Sequence, residues 1–411
     1  MRKTLLAGIA ALAIIATPSL AGDVRVDGFP DFNTHLDKQI PLFQEQNPDV
    51  TVTYQMNNHG DHHKRLTTNL ATGEGAGDVV IVDIGFIGSF IDAGGFENLS
   101  AAPYNADAMA DGFVSYAWDQ GKGTDGNQYA IPVDIGPGVM YYRRDLLDAA
   151  GMTIEEVTKD WDSYIEYGKK LKEQDVFLIA DAADVAGAII RTTVKPGEGF
   201  FFDADGNSLV TSDRFVNAFT IAKRIRDEGL DGQIGAWTNE WYDGFKQGTV
   251  ATQLSGAWLL GHLQNWMAPD TAGKWGVSNL PDGIYGSWGG SFLAIPAQSD
   301  NKEEAWKLIQ FLADSPDAQI ASLKDIGAFP VLTATYEDAA FDEEIAFLDG
   351  QKGRQLFAEI AQKVPAVAPK KGDLIAEDVV LSGALAEVLN DGKDVMAALK
   401  DAERLLKRRV K

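Results

Sequence analysis

No cysteine occurs among the 411 residues of this chain. Disulfides, thiolate metal centres and cysteine nucleophiles are therefore excluded, as is anchoring through a lipid-modified cysteine. Histidine is scarce, with five copies, so sites built on imidazole have few places to be. Positive charge is also short. Against 60 Asp and Glu stand 36 Lys and Arg, a formal net charge of −24, which makes nucleic acid and anionic membranes poor partners. Beyond the N-terminal segment no apolar run reaches the roughly 20 residues of a spanning helix, so no membrane insertion of the mature chain is expected. Enzyme signatures are missing too. There is no G-x-S-x-G elbow and no H-E-x-x-H pair. The glycine-rich stretch Gly73–Asp78 lacks the Lys-Ser/Thr of a phosphate loop and reads as a turn before a strand. Carboxylates are so common that counting them singles out no glycosidase pair. Nothing calls for a cofactor or a metal.

What is present begins with an export signal. Arg2 and Lys3 precede the apolar run 5–16, and small residues stand at Ser19 and Ala21. This pattern predicts a signal peptide over 1–21, cleaved before Gly22, and an unanchored protein in the periplasm of a Gram-negative cell. The remaining length is too great for one compact core and predicts two domains. Strand and helix patterns alternate, the mark of α/β lobes with largely parallel sheets. Strands are expected at 23–26, 50–55, 78–84, 139–144, 176–180, 250–255 and 291–297. Helices are expected at 35–46, 61–71, 86–93, 145–150, 184–191, 213–228 and 241–248. Asp300 and Glu303 form a capping-box pattern ahead of a helix with Ala305, Leu308, Ile309 and Leu312 on one face. Ser212 is the expected cap of the helix ended by Gly229. Asp203–Asn207 has a calcium-like Asp-x-Asp spacing, but its glycine falls at the wrong position, so a turn between strands is expected.

Several stretches carry a resemblance. The segment 275–331 joins a strand, a helix containing Ala305-Trp306-Lys307-Leu308-Ile309-Gln310-Phe311-Leu312, and a closing Gly327-Ala328-Phe329-Pro330 turn. Phe245, Gly248, Ala251, Gly256 and Trp258 fall in an F-x-x-G-x-x-A-x-x-x-x-G-x-W pattern. With the "YYRRDLLDAAG" stretch at 141–151, these resemble the extracellular solute-binding proteins of carbohydrate ABC transporters, the maltose-binding-protein-like family. The resemblance implies a two-lobed periplasmic-binding-protein (type II) fold with a hinge between lobes. The N-lobe would hold 22–131 plus 289–329 and the C-lobe 132–288 plus 330–411, with crossings near Ile131, Gly286 and Pro330. It implies a monomer that binds a small-molecule carbohydrate and docks on ABC transporter membrane permease subunits. At Lys159-Asp160-Trp161 the chain departs from the family's Pro-x-Thr-Trp helix start.

In open α/β sheets, ligands bind beyond the C-terminal ends of strands. That rule selects Asp31, Phe32 and Asn33 after the first strand, His59 after the second, and Asp83 and Phe86 after the third. It also selects Asp134, Trp288 and Gly289 at crossings, and Asp181 after a second-lobe strand. Trp258 follows the strand at 250–255, and by resemblance it stacks on sugar. Trp237 sits in a glycine-flanked loop, as a ligand contact or as surface packing. Carboxylates and amides pair with adjacent hydroxyls, and aromatic rings pack on pyranose C–H faces. For His59, His62 and His63 three readings stand: a metal site, a polar helix start, or a ligand contact by His59. Rival functions are a secreted carbohydrate-active enzyme, a periplasmic adaptor that presents a ligand to a receptor, and a binder of an anionic sugar or polyol derivative. Arg65, Arg143 and Arg191 are the cations an anionic ligand would call on.

Overall fold

The computed structural model describes residues 22–192, 194–195, 197–367, 370 and 372–410. The expected signal segment, 1–21, lies outside the described residues. Among these, the strands in chain order are β1 (Gly22–Gly28), β2 (Val50–Met56), β3 (Val79–Asp83), β4 (Ala130–Arg143), β5 (Phe177–Ile179), β6 (Val250–Gly256), β7 (Trp275–Ser278) and β8 (Ser287–Ala294). They pair in the order β2-β1-β3-β8-β4-β6-β5, with β7 also on β4. β1 runs parallel to β2 and β3, and β8 runs antiparallel to β3 and β4.

β4 links two halves. Its residues Ala130 to Pro137 pair with β8, and from Gly138 it pairs with β6. The register slips between Pro132 and Asp134 and again between Ile135 and Pro137. Such irregularities sharpen strand twist, which turns β4 out of one half-sheet and into the other. Ile135 also bridges Phe329, a third segment crossing at the same level. Ile131, near the expected first crossing, is paired with Leu293 of β8.

β3 is buried on both faces, as its unbroken apolar sequence requires. On one side, helices Phe32–Gln46, Lys302–Ala313 and Pro316–Ile326 pack Leu36, Phe43, Leu308 and Leu312 on Val24 and Val26. On the other, helices His59–Thr72 and Ile84–Asp92 pack Leu66 and Phe90 on Val80 and Val82. The second half has its own core, with Tyr164, Ile189, Phe219 and Leu399 from four helices around Leu254 of β6. The result is a mixed α/β fold of two lobes.

Local signals held unevenly. Asp203–Asn207 forms a turn between bridged Phe202 and Ser208, with the Asp203 carboxylate accepting from the Asn207 amide at 2.8 Å. At the unusual start of helix Trp161–Lys172, Asp160 accepts from Ser163 N at 2.7 Å and supplies the cap. The capping box does not form. Helix Lys302–Ala313 starts after Asn301 with no side-chain cap, because Asn301 donates instead to Asp23 O and Asp78 Oδ1. Ser212 stands at its expected N-cap position but makes no capping bond.

Candidate ligand-binding cleft

β1 lies between β2 and β3, so the chain passes over it on the way from β2 to β3. The helix after β1 and the helix after β2 pack on opposite faces. The crevice beyond the strand ends at such a reversal is where open α/β sheets bind ligands. Asp31, His59 and Asp83 stand there, just beyond β1, just beyond β2 and at the end of β3.

Asp83 of β3 and Asp134 of β4 both pair with Ser291 of β8, so two carboxylates flank one serine in a row across the sheet. Asp134 Oδ1 accepts from Ser291 N at 2.5 Å. Burial pushes the Asp134 carboxyl up to about 6, the Ser291 contact opposes the shift, and the charge of Asp83 adds to it. Asp83 Oδ1 accepts from Gly85 N at 2.7 Å, and Oδ2 lies 3.5 Å from His59 Nε2.

His63 holds this end in place from beneath. Its Nε2 accepts from Asp83 N at 3.1 Å, so the proton sits on Nδ1, which donates to His59 O at 2.7 Å. Its ring stacks on Phe86 at 4.1 Å and 15°. Burial lowers its pKa to about 4, fixing the neutral form at pH 7. His62 is buried, with Nε2 2.7 Å from Ile81 O. The metal reading of this cluster fails because both His63 nitrogens and Nε2 of His62 meet backbone groups. The helix does start here after the strand, at His59, but His62 and His63 within it are buried instead of facing solvent.

The opposite wall comes from the second lobe. Trp258, just beyond β6, donates from Nε1 to Trp288 O at 2.9 Å. Trp237 stacks on it at 5.7 Å and 16°. Trp237 is 52 % exposed yet held at φ 66°, a strained backbone for a bulky residue and a frequent sign of a ligand site. His262 is 5.4 Å from Trp258, and its Nε2 lies 4.0 Å from Asp31 Oδ2 of the other lobe. Asn33 Oδ1 accepts from Asp31 N at 3.2 Å and supports the φ of 80° there. The base of the cleft needs glycine. A Cβ on Gly136 would stand 1.7 Å from Trp288 O and 3.2 Å from Trp258 Cδ1. Gly289 has φ 73°, and a Cβ on it would lie 3.1 Å from Trp258 Nε1.

Two walls of polar and aromatic groups thus flank the segments that join the two halves. Residues 38–348 match the family of bacterial extracellular solute-binding proteins. The chain belongs to that family. It is 28 % identical over 389 residues to the lactose-binding protein of Rhizobium radiobacter, covering 89 % of each chain. It is 23 % identical to the arabinooligosaccharide-binding protein of Bacillus subtilis, over 75 % of this chain and 72 % of the relative. Among solved structures, an extracellular solute-binding protein of family 1 superposes with TM-score 0.82 at 24 % identity, covering 94 % and 99 % of the two chains. An ABC-transporter binding protein of B. animalis subsp. lactis, in complex with β-1,6-galactobiose, gives 0.78 at 22 %, covering 94 % and 97 %. The sugar-binding protein MalE of Xanthomonas citri gives 0.76 at 22 %, covering 94 % and 96 %.

In this solute-binding protein the structure sorts the sequence candidates. Asp83 and His59 come together, and so do Trp258, Trp237, Gly289 and the carbonyl of Trp288. Asp134 shares a row with Asp83, and Phe86 stacks on His63. Two candidates go elsewhere. Phe32 is 6 % exposed and packs edge-on to Phe29 in the first-lobe core, because the helix begins with it and turns it inward. Asp181 is engaged by Arg226 at 3.2 Å and by Ala183 N at 2.9 Å. Nearby Asp184 accepts from Gln253 at 2.8 Å and is pushed up to about 6 by burial. The strand-end rule does not select His262. A signal existed for His262, which stands one helical turn after Trp258. The Trp288 ring lies over Gly138 and packs on the second-lobe core, so its backbone, not its ring, meets Trp258. A further cavity of about 60 Å³ lies between Ile84 and Gly85 of one lobe and Arg191, Phe200 and Asp373 of the other.

Proposed function

We propose that this solute-binding protein captures a neutral sugar, a di- or oligosaccharide or a derivative of one, between its lobes and delivers it to an ABC importer. The reading is carried by the carboxylate row of Asp83 and Asp134 on one side and the Trp258–Trp237 stack on the other. Ionised carboxylates accept from adjacent hydroxyls, and the ring stack offers an apolar face to sugar C–H groups. An anionic ligand is disfavoured. Arg143 is buried against Asp145 at 2.6 Å, Arg191 pairs with Glu377 at 3.0 Å, and Arg65 donates to Asn57 at 2.9 Å. The names of the relatives, lactose-binding and arabinooligosaccharide-binding, support the sugar class.

In this reading 1–21 is cleaved on export, and the mature chain works in the periplasm as a monomer, with permease subunits as its membrane partners and no catalysis of its own. The lobes are 22–131 plus 289–329 and 132–288 plus 330–411, swivelling about the stretch of β4 that follows Ile131. Ligand shifts a hinge equilibrium from open to closed.

Thermal shift of the mature protein tests the class. Lactose, malto- and arabino-oligosaccharides, polyols, glucuronate and sugar phosphates form the panel. A ligand at about a thousand times its Kd adds roughly 4 kcal/mol, and several degrees of melting temperature. A shift with neutral saccharides alone is expected. A shift confined to the anionic compounds overturns the neutral class, and release of monosaccharide from a disaccharide overturns the non-catalytic reading.

A further inference from the structure

Trp258, His262 and Trp266 are spaced i, i+4 and i+8. They share one face of a helical segment that runs through Leu259–His262 and widens at Leu263–Met267. The rings are in sequence contact, with Trp258 to His262 at 5.4 Å and His262 to Trp266 at 5.6 Å. Trp237 packs on Trp258 and His262 from one side, at 5.7 Å each. Tyr242 packs on Trp266 at 5.2 Å. Trp266 Nε1 donates to His262 Nδ1 at 3.3 Å, which leaves the His262 proton on Nε2, toward Asp31 of the opposite lobe. The ring row therefore leads from the hinge out along the cleft edge.

Trp237 and Trp266 are 52 % and 48 % exposed, two of the five large apolar side chains so exposed among the described residues. Wet indole faces gathered at a cleft edge, each held by neighbours, suit an apolar ligand surface. Consecutive rings of the row stand 5.4 and 5.6 Å apart. That step is close to the span of one sugar ring, so consecutive rings can each face one unit.

We propose that Trp237, His262 and Trp266 extend the cleft outward as a stacking track, and that the ligand is a chain of at least three sugar units. This inference rests on the neutral-sugar reading above. Calorimetric titration of the mature chain tests it with arabino-, malto- and β-galacto-oligosaccharide ladders from disaccharide to pentasaccharide. In the series that binds, the tri- or tetrasaccharide is expected to bind about tenfold tighter than the disaccharide. Trp266→Ala should abolish that gain, leave the disaccharide Kd within about twofold, and leave the melting temperature in place, while Trp266→Phe should keep most of the gain. Equal affinity for all lengths in the native chain overturns the track while leaving the sugar reading intact. So does a Trp266→Ala loss equal for short and long ligands. Failure of every ladder to bind overturns the sugar reading and the track together.

Discussion

The indole N–H of Trp258 donates to the backbone carbonyl of Trp288 at 2.9 Å, tying a second-lobe side chain to the β8 hinge strand. The position of the stacking ring is thereby coupled to the hinge. Trp258→Ala should weaken sugar binding by about 2 kcal/mol, or ~30-fold. Trp258→Phe keeps a ring but loses the tether and should fall between. Calorimetry with the best sugar of the panel measures both, and an unchanged Kd for Trp258→Ala would remove this residue from the site.

Gly136 has no room for a methyl group, since a Cβ there would sit 1.7 Å from Trp288 O, a backbone atom that cannot move without β8. Gly136→Ala should destabilise by about 3 kcal/mol and weaken sugar binding, because the hinge must spread. Gly60→Ala, with open space around its Cβ, is the control. Thermal denaturation of both should separate them clearly.

Burial of the Asp134 carboxylate costs stability at neutral pH. Burial raises its folded pKa to about 6, above the ordinary 3.8, so its contribution to stability is fully present below about 3.8 and lost as pH rises through 6. Asp134→Asn removes a buried charge while Oδ1 still accepts from Ser291. It should melt a few degrees higher than the native protein at pH 7.5, with the gain vanishing near pH 4, and bind sugar more weakly at pH 7.5. A lower melting temperature at pH 7.5 would contradict the assignment.

His63 works with the opposite sign. Its folded pKa, lowered to about 4, means a contribution fully present above 6.5 and lost as pH falls through 4. His63→Ala leaves the Asp83 amide without its acceptor and opens a gap under Phe86, a loss of about 2–3 kcal/mol at pH 7. Chemical denaturation at pH 7 and pH 4 should show the mutational loss shrinking in acid.

Asp31 and His262 meet across the cleft at 4.0 Å, and burial lowers the His262 pKa so that the pair is not ionic at neutral pH. Asp31→Asn should speed sugar release only slightly at pH 7, by about 0.5 kcal/mol or less, and more at a lower pH, as His262 takes up its proton against the burial that opposes it. Stopped-flow release at the two pH values checks the difference.

Much of the fold is legible in the sequence because its signals are local. The apolar run of β3 and the glycine after helix Asn239–Gln247 each act through near neighbours. Trp258 is legible through the Gly256-x-Trp258 pattern, and Asp83 through its place after a buried strand. The capping box at Asp300 was misread because a local motif cannot see that Asn301 has better partners on β1 and at Asp78.

The sequence alone determined the absence of thiol chemistry, the acidic balance, the α/β alternation and the short list of residues beyond strand ends. Only the tertiary structure decided which of them face one another. Arg226 reaches Asp181 from 45 positions away and removes it from the list. Trp288 presents its carbonyl to Trp258 from 30 positions away. The row Asp83–Ser291–Asp134 exists because β8 runs back between β3 and β4. Periodicity and capping are written within a few residues, whereas strand order and side-chain partners depend on how distant segments pack.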